Sequence, residues 1–163
     1  MKTNVKKLAL SGLLVAVAVV GATFSVPVGV AKASPVQHMV NVLAGVILGP
    51  WYAVGAAFAA SCIRVLMGTG TLLAFPGSMV GALLSGVLYK KFGNIVSAFI
   101  GEVIGTGVIG AILAYPVATL FLAKQAVIFG FVIPFSVSSF CGATISAIII
   151  FALKRTRAMD MIA

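Results

Sequence analysis

Residues 36–66 read VQHMVNVLAGVILGPWYAVGAAFAASCIRVL, with Arg64 as the only charge. The stretch is too long for one ordinary membrane crossing, which takes about 20 mainly apolar residues. Gly49-Pro50 lies near its middle. Proline lacks an N–H and restricts the residue before it, so a turn is predicted there. The halves, 36–49 and 51–66, would be roughly 21 Å and 24 Å long at 1.5 Å per residue. They form either two thin crossings or a re-entrant hairpin, and local thinning of a bilayer accommodates both.

The rest of the chain surrounds this pair with similar material. Of 163 residues, 62% are apolar and 8% charged, with 11 Lys+Arg against two acids, Glu102 and Asp160. A soluble domain carries about 25% charged residues, so this composition excludes a soluble monomer and a disordered chain and leaves an integral membrane protein. Uncharged runs cover 8–31, 33–63, 65–89, 92–101, 103–123 and 125–153. The net charge of +9 has no basic-aromatic platform to support a nucleic-acid reading. Instead the positives flank the apolar runs as Lys2, Lys6 and Lys7; Lys90 and Lys91; and Lys154, Arg155 and Arg157. Short cytoplasmic segments beside spans carry such an excess. If all three clusters are cytoplasmic, an even number of crossings precedes Lys90, and 36–66 must supply two or return to its own side.

The expectation is an all-α integral membrane protein, a six transmembrane helix bundle with N- and C-termini cytoplasmic. Residues 1–163 form a single membrane domain with helices at about 8–26, 36–49, 51–66, 76–90, 95–118 and 124–153. Pro134 predicts a kink in the last. Lys6-Lys7, the following apolar run and Ala31-Lys32-Ala33 imitate a secretory signal. The apolar run is too long and the A-x-A site too distant, so a retained span is expected. Cys62 and Cys141 form no C-x-x-C motif and read as small buried residues.

Polar residues in such a setting are the candidates for function. Lys32, Arg64 and Lys124 fall near the outer ends of this topology, where snorkelling to headgroups and a specific role are both open. Glu102 lies inside the fifth helix in Gly101-Glu102-Val103-Ile104-Gly105-Thr106-Gly107. Glu102 and Thr106 share a face, and Gly101 and Gly105 form a ridge for close helix approach. Structural pairing and ligand binding are both open for that carboxylate. Gln37, His38 and Asn41 gather in the outer half of the second helix and suit a neutral hydrogen-bonding ligand. The loop 67–78 contains Thr71, Phe75 and Ser78 among several glycines, and closure over a solute and a plain solvated connection are both open. Tyr115-Pro116 ends the fifth helix on the same side. Trp51 and Tyr52 read as interface residues.

No metal or other cofactor is predicted, since His38 has no second ligand at suitable spacing. Gly105–Gly110 matches G-x-G-x-x-G, but inside a membrane helix it lacks the strand that a dinucleotide site needs. No phosphate-binding P-loop and no credible catalytic triad occur, so an enzyme is not expected. Ala9, Gly12 and Ala16 form a small-residue ridge on the first helix, suited to docking another membrane helix.

Several strings together resemble a known family. They are Ala33-Ser34-Pro35-Val36-Gln37-His38 to Asn41, Leu48-Gly49-Pro50-Trp51-Tyr52, GTGTLLAFPGSM at 68–79, and Gly101–Gly107 through Tyr115-Pro116. The chain resembles the ThiW family of thiamine-precursor S components, the substrate-binding subunits of energy-coupling factor (ECF) transporters. The resemblance implies a six-helix bundle in the cell membrane of a prokaryote. It implies capture of a small vitamin precursor, hydroxyethylthiazole, at the outer face. It implies as partners a transmembrane coupling subunit and two ABC-type ATPase subunits. Docking in such S components runs through an A-x-x-x-A motif in the first helix, where this chain has Gly12 in the first position. The solute is expected at Gln37, His38, Asn41, Thr71, Phe75 and Ser78, with Tyr115 for stacking and Glu102 as floor or helix tie.

Overall fold

The computed structural model describes residues 2–28, 31–123, 125 and 127–156, with the backbone alone at 2–4 and 31. Among these residues six helices form: α1 (Lys2–Gly21), α2 (Pro35–Ile47), α3 (Pro50–Leu66), α4 (Ala74–Phe92), α5 (Ile95–Phe121) and α6 (Val132–Arg155). α1, α5 and α6 contain stretches long and apolar enough to cross a membrane. Lys124, Arg157 and Asp160 lie outside the described residues.

The turn expected at Gly49-Pro50 is present. Gly49 adopts a φ of 92°, a conformation open to glycine, and Pro50 starts α3 at a position where no N–H is needed. α2 is the shortest helix, with 13 residues or roughly 20 Å. It packs against all five other helices. Gln37, His38 and the run Val40–Val46 are buried, as befits a helix enclosed on every side. Its shortness therefore reflects a central place in the bundle, where the other helices shield its ends.

Polarity is inverted relative to a soluble protein. Val96, Ile100, Ile104 and Val108 of α5 and Ile133, Phe140 and Ile148 of α6 are exposed, while Ala98, Glu102, Thr106, Ser138, Ser139 and Ser146 are buried. Small residues let the backbones meet. α4 and α5 run antiparallel with Gly77 against Gly110, Gly81 against Gly105, and Leu84-Ser85 against Gly101. Gly101 and Gly105 are four residues apart, but Gly110 follows by five. A π-helical turn over Gly105–Gly110 takes up the extra residue and returns Gly110 to the shared face.

Several expectations on boundaries are corrected. α1 ends at Gly21 rather than 26. After a short 3₁₀ turn, Val26–Val28 (β1) pairs antiparallel with Ala31–Ala33 (β2) in a hairpin that touches α6. Pro27 opposes the apolar helical reading there. α5 continues past Tyr115-Pro116 through a second π-helical turn to Phe121. α6 starts at Val132, not 124, so Pro134 falls in its first turn, where proline removes no helical hydrogen bond and the expected kink has no cause.

The basic clusters lie at one end. Lys154 Nζ stands 5.5 Å from the centre of the Tyr89 ring, beside Lys90 and Lys91. Leu8, just after Lys6-Lys7, shares a groove with Trp51 and Tyr52 at the start of α3, and Pro50 there touches Gly86.

A Cβ added at Gly105 would stand 2.8 Å from Gly81 Cα, a backbone atom that cannot rotate away. Gly105→Val is expected to cost about 1–3 kcal/mol, read as a lowered Tm in detergent. Gly12→Ala, whose Cβ meets nothing within 4 Å, is the control and leaves Tm no lower, since alanine is the better helix former.

Candidate functional site

At the end of the bundle away from those clusters lies a cavity of about 280 Å³. The first turns of α2 and α4 form two of its walls. The end of α3, Thr106 of α5, and Phe135 and Ser138 of α6 supply the rest. Residues 69–71 and the hairpin residues Pro27 and Lys32 stand at its edge.

Behind the α2 wall, hydrogen bonds run in one direction between two buried charges. Arg64 Nη1 donates to Gln37 Oε1 at 3.0 Å, and Gln37 Nε2 donates to Asn41 Oδ1 at 3.4 Å. Asn41 Nδ2 then donates to Glu102 Oε1 at 3.1 Å and to Ser78 O at 3.1 Å. Two amides thus connect a guanidinium to a carboxylate head to tail, an ion pair stretched through polarised groups. The same Oε1 meets His38 Nδ1 at 2.8 Å and Thr106 Oγ1 at 2.9 Å. Glu102 Oε2 is buried without a partner and faces Gly81.

The helix periodicity explains this assembly. Gln37, His38 and Asn41 lie at i, i+1 and i+4 on α2, so Gln37 reaches α3 while His38 and Asn41 reach α5. With Nδ1 turned to Glu102, the His38 ring keeps Nε2 for another partner. Arg64 is also held by its backbone. Its carbonyl accepts from the amides of Thr69 and Gly70, both at 2.9 Å, which folds the loop after α3 back onto it. Gly70 fits because a side chain there would press on Arg64 Cβ. Arg64 Nη2 donates to Ser34 Oγ at 2.8 Å, and Ser34 N donates to Ser138 Oγ at 2.7 Å.

Of the residues singled out by sequence, Gln37, His38, Thr71 and Ser78 line the cavity. Asn41 and Glu102 are buried in the network behind it. Phe75 and Tyr115 are not among its lining residues. Phe75 packs edge-on against Phe58, ring centres 5.7 Å apart, and ties α4 to α3. The aromatic wall is Phe135 instead, one of several phenylalanines in 129–140 that the sequence does not tell apart. Ser34, Thr69 and Ser138 were also missed. Arg64 does not snorkel: it is 4% exposed and inside the site. The interruption of an apolar run is the signal, and the buried amide that receives it, Gln37, is 27 residues away.

A family model described as thiamine-precursor transporter protein (ThiW) matches residues 8–156. The chain belongs to the ThiW family. Comparison with curated proteins and with solved structures returned no match. ThiW membership makes this a membrane protein and a thiamine-precursor transporter component with a small-molecule substrate, in a family of transporters rather than enzymes. The matched span contains the whole Arg64–Glu102 network of this ThiW chain.

Removing the Glu102 carboxylate orphans donors on two helices. Glu102→Ala is expected to lower stability by about 3–5 kcal/mol, the range for breaking a buried charged pair. Glu102→Gln, which keeps an acceptor oxygen, loses less. Thermal unfolding of the three proteins in one detergent checks the order.

Proposed function

We propose that this protein is the substrate-binding S component of an ECF-type importer in the plasma membrane of a prokaryote. It captures a thiamine precursor, hydroxyethylthiazole, at the outer face. The observation that carries this reading is the position of the cavity at the end opposite the basic clusters. By the positive-inside tendency those clusters are cytoplasmic. Both termini then lie inside, and the cavity faces out.

The size and lining of the cavity favour a one-ring solute. Ligand pockets run about 300–1,000 Å³, so 280 Å³ is at the small end. Phe135 and Leu73 offer apolar surface to the ring. His38, Gln37, Thr71 and Ser78 offer polar atoms to the ring nitrogen and the hydroxyl. Asn41 and Glu102 act through His38 and Gln37 by fixing their orientation.

The coupling partner has a surface to fit. Ala9, Gly12 and Ala16 are all exposed on α1. Beside them Leu8, Val15, Trp51 and Gly55 line an apolar groove between α1 and α3. A smooth stripe next to a groove suits a helix of a transmembrane coupling subunit, which in turn carries two ABC-type ATPases.

Isothermal titration of the detergent-purified protein is expected to show binding of hydroxyethylthiazole. His38→Ala should weaken it about tenfold, as for loss of one buried hydrogen bond. No heat of binding from protein shown to be folded would remove the thiazole assignment. Gly12→Leu is expected to leave titration unchanged while abolishing co-purification with coupling and ATPase subunits. Retention of those subunits would move the contact elsewhere.

A further inference from the structure

Among the described residues, the cavity wall holds a cation without a direct counter-ion. Arg64 is buried and lines the cavity. Its two bonded nitrogens donate to neutral acceptors, Gln37 Oε1 and Ser34 Oγ, and Nε has no acceptor. A guanidinium carries five N–H groups, so these bonds leave most of its capacity unused. Among the described residues Glu102 bonds directly to His38, Asn41 and Thr106, and it reaches Arg64 only through two amides. None of the described residues lining the cavity is acidic, and Lys32 adds a second cation at the edge. A buried charge left this way is costly. The guanidinium fork matches carboxylate and phosphate oxygens better than any other side chain does.

We propose that Arg64, assisted by Lys32, is an anion subsite for a carboxylate or phosphate carried by the solute's side chain. This rests on the cavity being the solute site, as above, but not on the ring being a thiazole. The ring lies toward Phe135 and Leu73, and the pendant group turns to the Arg64 side. The alcohol hydroxyl of hydroxyethylthiazole is the weakest acceptor that this position takes. Its phosphate ester and the corresponding thiazole acetic acid bring a charge that Arg64 lacks. The same two cations disfavour a permanently cationic thiazolium, such as that of intact thiamine. The cavity thereby separates precursor from finished vitamin by charge as well as by size.

The test is titration of the full-length protein in detergent with five ligands: hydroxyethylthiazole, its phosphate ester, the thiazole acetic acid, thiamine and thiophene acetate. The two thiazole anions are expected to bind about tenfold or more tighter than the alcohol, consistent with charge-assisted bonds of roughly double strength. Thiamine is expected to bind weakest. Arg64→Gln should erase the advantage of the anions, and Arg64→Lys should restore part of it. Lys32→Gln, at an exposed position, should reduce that advantage with the bundle intact, which covers the case of an Arg64→Gln protein that fails to fold. Anions no tighter than the alcohol, or an equal loss for all ligands in Arg64→Gln and Lys32→Gln, would overturn the subsite while leaving thiazole capture in place. Equal binding of thiophene acetate and the thiazole acid would keep the subsite and remove the thiazole. No binding of any ligand overturns both.

Discussion

Glu102 is the interaction on which the bundle is organised. It is the only acid among the described residues, and it is fully buried. A carboxylate in an apolar interior is tolerated only when charge and hydrogen bonds come to it. Here three donors converge on one oxygen, two from α2 and one from its own helix. The compensating charge lies at the other end of two amides, on α3. α2, α3 and α5 are therefore held in register by one network, and the cavity wall is its exposed side. A helix shifted by one residue would rotate His38 or Asn41 away from Glu102 and leave the carboxylate unpaired.

That network demands close packing around it. Gly81 sits directly over Glu102 and Thr106, so close that any side chain would collide with both. On the other side of α2, Gly142 of α6 packs against His38 Cβ and the Met39 amide. Hydrophobic burial between helices gains little in a membrane, since lipid is equally apolar. Close backbone contact and buried hydrogen bonds have to supply the cohesion. The glycines are thus part of the electrostatic solution: they bring α4 and α6 near enough to exclude lipid and solvent from the pair.

The sequence carried the fold through few residues. The charges flanking apolar runs count helices, and Gly49-Pro50 divides the ambiguous pair, so six helices were legible. The hairpin at 26–33 was not, because Val-rich sequence reads equally as the end of a span or as strand. Nor was the π turn, which adds one residue without changing the apolar pattern. For the cavity, polar residues inside helices were visible as candidates, since bilayers make them costly. Their division of labour was not. Gln37 and Asn41 are both amides on one face, yet Gln37 lines the cavity and Asn41 lies a turn deeper. For Arg64 one dimension leaves snorkelling and a specific role equally open, because its acceptors belong to another helix. Phe135 takes the cavity place expected of Phe75 for the same reason.

The two ends of the network differ in stiffness, and this shapes what the cavity can do. His38, Asn41, Ser78 and Thr106 are fixed by buried partners on three helices. The outer edge has less behind it. Lys32 and Thr71 are exposed, and the loop after α3 is anchored mainly through Arg64's carbonyl. Under the proposed reading, a solute at the inner wall would meet a preorganised surface, which lowers the ordering cost of binding. One at the edge would have to order it. Arg64 joins the two regions, since its side chain belongs to the buried network and its backbone holds the loop. A ligand engaging the guanidinium as proposed would touch both regions at once, through a residue bonded to the helix that packs against every other helix in the bundle.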